Sequence, residues 1–263
     1  MGAPDTGGVE NTRHNMSQSF LRGGSANMDT SRNDYGEVCV YCHTPHAAST
    51  TTNAPLWNRT MKNTVYQTYG DLIATGQTPS QPGVNSLVCL SCHDGTVAID
   101  SIINMPGPGR HEPAQETSQN NGFLDQWTNP SGTNPIKHAT LTDCLACHNK
   151  DNIFAPDFAV AVIGTDLSND HPVGVTLPDT NLYGFREPNG QRGGIKFFDT
   201  DGNGRPDAGE IRYYNTGGGF KVECGSCHDP HGVSPTGPGG VHNPTFLRVS
   251  NATSAVCITC HVK

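Results

Sequence analysis

Core-building residues are scarce in this 263-residue chain. Leu, Ile, Val and Phe together number 48, or 18%. That is under the level of roughly 20% below which an ordinary hydrophobic core is hard to build. Nowhere do 18 apolar residues run together, so no transmembrane helix is expected. Lys and Arg number only 16 against 24 Asp and Glu, the formal charge is −8, and the cations form no cluster. The electrostatic footprint of a nucleic-acid binder is therefore missing. These absences argue against a cofactor-free globular enzyme with a regular α/β core. Either the chain is largely disordered, or something other than side chains fills its interior.

What is present decides between the two. The ten Cys fall as Cys39-Val-Tyr-Cys42-His43, Cys89-Leu-Ser-Cys92-His93, Cys144-Leu-Ala-Cys147-His148, Cys224-Gly-Ser-Cys227-His228 and Cys257-Ile-Thr-Cys260-His261. Every Cys belongs to a C-x-x-C-H unit, the spacing of c-type haem attachment. Two thiols add to the haem vinyl groups, and the adjacent His becomes the proximal ligand of the iron. Disulfide pairing would not demand a His after every second Cys. Zinc needs two such pairs, or a pair plus histidines, per metal. A thioredoxin-type redox pair occurs once, not five times.

Five haems in 263 residues is about one per 53. Their flat apolar faces substitute for the missing aliphatics. The 31 Gly and 19 Pro suit a chain that turns often and approaches such plates closely. The expected fold is mostly irregular coil with short α-helices and a few short strands, wrapped around a haem array. Covalent haem attachment takes place outside the inner membrane, so the protein is expected to be exported. The chain opens on Met-Gly-Ala-Pro with no basic and apolar leader, and no Cys is spare for a lipid anchor. The expectation is a mature protein, free in the periplasm or outside the cell.

Of twelve His, five are proximal. Seven remain, and bis-His ligation of five irons needs five of them. His46 and His231 stand in Cys42-His43-Thr44-Pro45-His46 and Cys227-His228-Asp229-Pro230-His231. Each follows a proximal His by three residues. It cannot easily swing to the far side of the same plate, so it is expected to ligate a neighbouring haem and to force two haems together. His14, His171 and His138 complete the candidate distal set, with His111 and His242 in reserve. Two histidines on every iron leave no vacant substrate position, which favours electron transfer over catalysis.

The chain reads as one multihaem unit of 1–263 with an internal repeat. A paired-haem module over 1–100 and a second over 166–263 flank a single-haem segment over 101–165. The second module contains Asp199-Thr-Asp201-Gly-Asn203-Gly204-Arg205-Pro206-Asp207-Ala-Gly-Glu210, which matches the loop pattern of calcium sites. Asp199, Asp201, Asn203, the Arg205 carbonyl, Asp207 and Glu210 are the candidate oxygen donors, and Gly204 makes the sharp turn. The flanks alternate like strands rather than helices. The competing reading is an Asx-rich hairpin turn without an ion.

Taken in order, Arg13-His14-Asn-Met-Ser, the first C-x-x-C-H-T-P-H unit, Ala54-Pro-Leu-Trp57-Asn-Arg, Cys89-Leu-Ser-Cys-His93-Asp-Gly-Thr, Ser168-Asn-Asp-His171-Pro-Val, Cys224-x-x-Cys-His-Asp-Pro-His231 and the terminal C-x-x-C-H resemble the doubled-CXXCH multihaem cytochromes. That family includes tetrahaem extracellular cytochrome nanowires. The resemblance runs over most of the chain and is weakest from about 100 to 165. It implies bis-His haems, with distal ligands matching His14, His46, His171 and His231. It also implies head-to-tail polymers in which haems stack through subunit junctions. The haem at Cys144 is a departure, with no counterpart in the family.

The leading reading is therefore an extracellular electron conduit, a polymerising subunit that passes electrons to other redox proteins or extracellular acceptors and not an enzyme. The alternative is a soluble periplasmic pentahaem shuttle. A multihaem reductase comes third, because such enzymes need one iron with an open site.

Overall fold

The computed structural model describes residues 8–16, 38–59, 61–72, 75–97, 99, 102–104, 140–153, 157–237 and 240–262. His138 and His111 lie outside the described residues, as does most of the stretch from 101 to 139. The described chain is mostly coil, with a few short helices and one small antiparallel sheet. Its α-helices are α1 (Val84–His93), α2 (Leu141–Cys144), α3 (Thr180–Tyr183), α4 (Cys224–Cys227) and α5 (Ala255–Cys260). No helix among the described residues is long and apolar enough to cross a membrane.

Local hydrogen bonds bound three of these helices. At α2, Thr140 and Asp143 form a reciprocal capping box, the Asp143 carboxylate accepting from the Thr140 N–H at 2.9 Å. Asp179 caps α3 through the Asn181 N–H at 3.0 Å. Gly184, at φ 67°, ends that helix in the left-handed region. Glu223 caps α4, its N–H donating to Ser226 Oγ at 2.9 Å. The same residue's carboxylate accepts from the Gly83 N–H and from Ser86 Oγ at the start of α1.

Strands β1 (Gly190–Arg192), β2 (Ile195–Phe197), β3 (Arg212–Asn215) and β4 (Phe220–Lys221) form an antiparallel meander in chain order. Ile195 pairs with Tyr214 and Phe197 with Arg212. The β2–β3 connection is the Asp199–Glu210 loop. Phe197 is fully buried beneath Gly190, where a Cβ would meet its ring at 2.5 Å.

The chain divides into two compact units. One is Met1–Ala3, Asn15–Thr64 and Val88–Thr165; the other is Pro4–His14, Val65–Leu87 and Asp166–Lys263. Motifs 1, 2 and 3 belong to the first unit, and motifs 4 and 5 to the second. Tyr41, Leu90 and Ile99 are buried in the first, and Phe197, Ile211 and Tyr213 in the second. Polar groups share these interiors. In the first unit, buried Arg59 donates to Ser91 Oγ at 3.3 Å and to the carbonyls of Ile99 and Ser91 at 2.5 and 3.2 Å. A guanidinium satisfied by backbone carbonyls does here what an aliphatic cluster does elsewhere, as the low aliphatic content requires.

Candidate functional site: five C-x-x-C-H turns and the segments that hold them

All five C-x-x-C-H units are single helical turns. In motifs 1, 3, 4 and 5 the His N–H donates to the carbonyl of the first Cys, at 2.8, 3.0, 3.0 and 2.9 Å. Motif 2 forms the last turn of α1. On such a turn, positions i, i+3 and i+4 share one face. Both thiols and the imidazole of each motif therefore leave the backbone on the same side. None of the ten Cys forms a disulfide.

The thiols sit in pairs of motifs. Burial pushes the Cys42 thiol up to about 12, and the nearby Cys92 thiol adds to the shift. Burial does the same to Cys227, up to about 12, with Cys260 next in effect. Cys144 is raised to about 11 by burial and by the adjacent Asp143. Within the first unit the second Cys of motif 1 thus neighbours the second Cys of motif 2. Within the second unit the same holds for motifs 4 and 5.

Six imidazoles share one orientation. His43, His93 and His228 donate Nδ1–H to the carbonyls of Pro55, Ala161 and Thr245 at 2.8, 2.6 and 2.8 Å. His14 and His171 do so to Pro230 and Pro172 at 3.0 and 3.1 Å. His231 donates instead to the Asp229 carboxylate at 2.8 Å. A carbonyl or carboxylate oxygen only accepts, so Nδ1 carries the proton and Nε2 the lone pair in the neutral ring. That is the tautomer of a metal-ligating His held by its second nitrogen. Buried His242 differs: its Nδ1 has no hydrogen-bond partner and abuts Gly232.

Three of the five motifs carry a further device that sequence reasoning missed. The carbonyl of the second Cys accepts from a backbone N–H: Asn58 to Cys42 at 2.8 Å, Arg248 to Cys227 at 2.8 Å, and Arg186 to Cys260 at 2.7 Å. The residue after the motif His donates back two positions earlier, Thr44 to Leu56, Asp229 to Phe246 and Val262 to Gly184. Leu56, Phe246 and Gly184 all have positive φ, at 53°, 60° and 67°. The side chain of the clamping residue then reaches the carbonyl that follows the first Cys. Asn58 Nδ2 donates to Val40 at 2.6 Å, Arg248 Nε to Gly225 at 2.9 Å, and Arg186 Nε to Ile258 at 2.9 Å. One backbone design, with three different sequences, fixes both ends of the turn that bears the thiols. Motifs 2 and 3 are held otherwise: the His93 carbonyl accepts from the Ile163 N–H, and the His148 carbonyl from the Phe158 N–H.

Among the described candidate distal residues, His14 and His171 lie beside motif 4 and His46 follows motif 1. The His14 ring packs on Phe246, centroids 4.3 Å apart, beside motif 4. The Cys224 thiol, raised chiefly by burial, also feels Asp170, which brings the His171 segment near motif 4. His46 is tied through its carbonyl to Thr44 Oγ at 2.8 Å and to Asn104 Nδ2 at 2.9 Å.

In the acidic loop, the carboxylates of Asp199, Asp201 and Glu210 converge, with one oxygen from each within 4.8 Å of the others. Asp199 accepts from the N–H groups of Gly202 and Gly204 at 2.7 and 3.0 Å. Asp207 instead accepts from Asn203 Nδ2 at 2.6 Å, and the Arg205 N–H donates to Asn203 Oδ1 at 2.7 Å.

Compared with known proteins, the chain matches no family model and no curated protein.

Proposed function

We propose that the protein is a pentahaem c-type cytochrome that moves electrons over long distances outside the inner membrane. Bound haem supplies a reversible one-electron iron couple, and the chain supplies attachment, ligation and spacing. Cys39, Cys42, Cys89, Cys92, Cys144, Cys147, Cys224, Cys227, Cys257 and Cys260 attach the haems. His43, His93, His148, His228 and His261 are the proximal ligands, and His14, His46, His138, His171 and His231 are the distal set. The observation that carries the reading is the common turn. Five motifs use every Cys, and each turns two thiols and an imidazole to one face, the donor set that covalent haem attachment needs. The shared Nδ1–H orientation of six histidines supports iron ligation through Nε2.

Paired motifs within each unit suit haems in contact, which exchange electrons quickly. The resemblance to doubled-CXXCH cytochromes extends the proposal to a head-to-tail filament subunit. The converging carboxylates of Asp199, Asp201 and Glu210 support calcium at the β2–β3 loop as a structural ion, with Asn203, Asp207 and the Arg205 carbonyl as further donors.

Intact mass and a pyridine haemochromogen assay test the core of the proposal. Five haems per chain are expected, and any smaller full-occupancy number refutes it. Negative-stain microscopy of the holoprotein tests the filament: long fibres support it, whereas uniform globules give a discrete shuttle. Carbon monoxide binding to the reduced protein would reveal an open iron and argue for a reductase.

A further inference from the structure

The two His-x-Pro-His units are alike in spacing and differ at one position. Thr44 stands between His43 and Pro45, and Asp229 between His228 and Pro230. Thr44 is buried, and its hydroxyl donates to the His46 carbonyl. Asp229 turns its carboxylate to the imidazole. Its Oδ1 accepts from His231 Nδ1 at 2.8 Å and from the His231 N–H at 3.1 Å. Its Oδ2 accepts from Arg248 Nη1 at 3.0 Å. Arg248 is 6% exposed and is fixed by its bonds to Gly225 and to the Ala208 carbonyl at 2.7 Å. The carboxylate is therefore ionised, immobile and aimed at one ring nitrogen. The five other oriented histidines donate to neutral carbonyls.

We propose that Asp229 is a positioning residue that gives His231 imidazolate character and so holds the iron bound by His231 at a lower potential than a neutral hydrogen-bond partner would. The inference rests on the reading of His231 as an axial ligand. A carboxylate that takes up part of the Nδ1 proton makes Nε2 a stronger donor. A stronger donor stabilises ferric over ferrous iron, one of the protein's levers on haem potential. Reduction adds one electron to that iron, and no bond is made or broken. Arg248 tempers the effect by sharing the carboxylate, and it fixes the direction of the hydrogen bond. The consequence is asymmetry between two units of the same spacing: the one built on Asp229 sets a carboxylate on its second histidine, whereas the one built on Thr44 turns its hydroxyl to a carbonyl.

The test is spectroelectrochemical titration of the holoprotein with Asp229→Asn, Asp229→Glu and His231→Ala variants. Asn keeps a hydrogen-bond acceptor but removes the charge. One of the five reduction steps is expected to move positive in D229N and to stay near its native place in D229E, with five low-spin haems in both. If D229N leaves all five steps unmoved while H231A turns one haem high-spin, the inference fails and the ligand assignment stands. If H231A leaves five low-spin haems, the ligand assignment itself fails and takes the inference with it. Should D229N not accumulate with five haems, electron paramagnetic resonance of the oxidised native protein decides. One low-spin signal of compressed g-anisotropy is expected, and its absence overturns the inference.

Discussion

Arg248 joins its clamp to an ion pair with Asp229, and Arg248→Met isolates what its guanidinium does. Methionine keeps the length and the apolar stem, so packing changes little. What is lost is the bond to Gly225 at 2.9 Å, the bond to Ala208 at 2.7 Å and the ion pair with Asp229 at 3.0 Å. Hydrogen bonds to charged groups contribute about 1.5–3 kcal/mol each. Removing one partner of a buried ion pair costs about 3–5 kcal/mol. These terms overlap, because all three belong to one group. Asp229 also keeps its bond to His231 and is 13% exposed, so water recovers part of the loss. The expected destabilisation is about 4 kcal/mol, a large share of the roughly 5–15 kcal/mol that holds a typical domain. The matched control is Arg186→Met. Arg186 is exposed, and its side chain bonds to Ile258 at 2.9 Å, so about 1 kcal/mol is expected there. Thermal melts of the holoproteins followed by Soret circular dichroism give the comparison. Equal losses in the two variants, or a change under about 1 kcal/mol in R248M, would refute the clamp energetics.

Gly232 has φ +83°, and a Cβ there would lie 2.1 Å from His242 Nδ1, whose ring is buried. Gly232→Ala is expected to destabilise by about 2–4 kcal/mol, from the left-handed backbone and the overpacking together. A melting temperature equal to that of the parent would contradict the packing at this turn. Burial raises the Glu223 carboxyl above its ordinary value of 4.5, against the hydrogen bonds from Ser86 and Gly83. A folded state that holds this proton more tightly than the unfolded chain is most favoured at low pH. It loses that advantage as pH rises through the raised value. The stability of the native protein relative to Glu223→Gln should therefore fall as pH rises above 4.5. A difference that stays flat or grows with pH, in denaturant titrations, would reverse the assignment.

Much of this molecule could be read in its sequence because a fixed residue spacing leaves a rigid trace. A C-x-x-C-H unit must keep its spacing to put two thiols and an imidazole on one turn, so the five turns and the coil-rich architecture were both legible. So were the strand-like flanks of the acidic loop, where Ile195 to Phe197 and Arg212 to Asn215 pair as β2 and β3. The clamps were not legible. Pro55-Leu56-Trp57-Asn58, Tyr183-Gly184-Phe185-Arg186 and Thr245-Phe246-Leu247-Arg248 share no residue at every position. Their common requirement is a backbone N–H, a residue that tolerates positive φ, and any side chain whose N–H can reach one carbonyl. Backbone groups are identical in every residue, so a device built from them writes little into the sequence. The placement of the third clamp hides it further. Its segment precedes Cys257 by some 70 residues, whereas the first two follow their motifs closely.

The clamps also bear on how three motifs share one scaffold without sharing a sequence. In motifs 1 and 4 the clamp and the His-x-Pro-His unit are built together. The residue whose N–H returns to Leu56 or Phe246 is Thr44 or Asp229, the position between the two histidines. The backbone of that residue therefore fixes the turn, while its side chain remains available for the second histidine. At Thr44 the side chain closes on a carbonyl, and at Asp229 it reaches an imidazole. Motif 5 carries the same backbone pairing through Val262. On the proposed haem reading, the geometry of attachment and the environment of the second histidine are thus separable in this fold. The first is carried by main-chain hydrogen bonds that tolerate substitution, and the second by a single side chain that does not. A Thr-for-Asp exchange at position 229 should leave the motif 4 turn intact while changing what His231 feels.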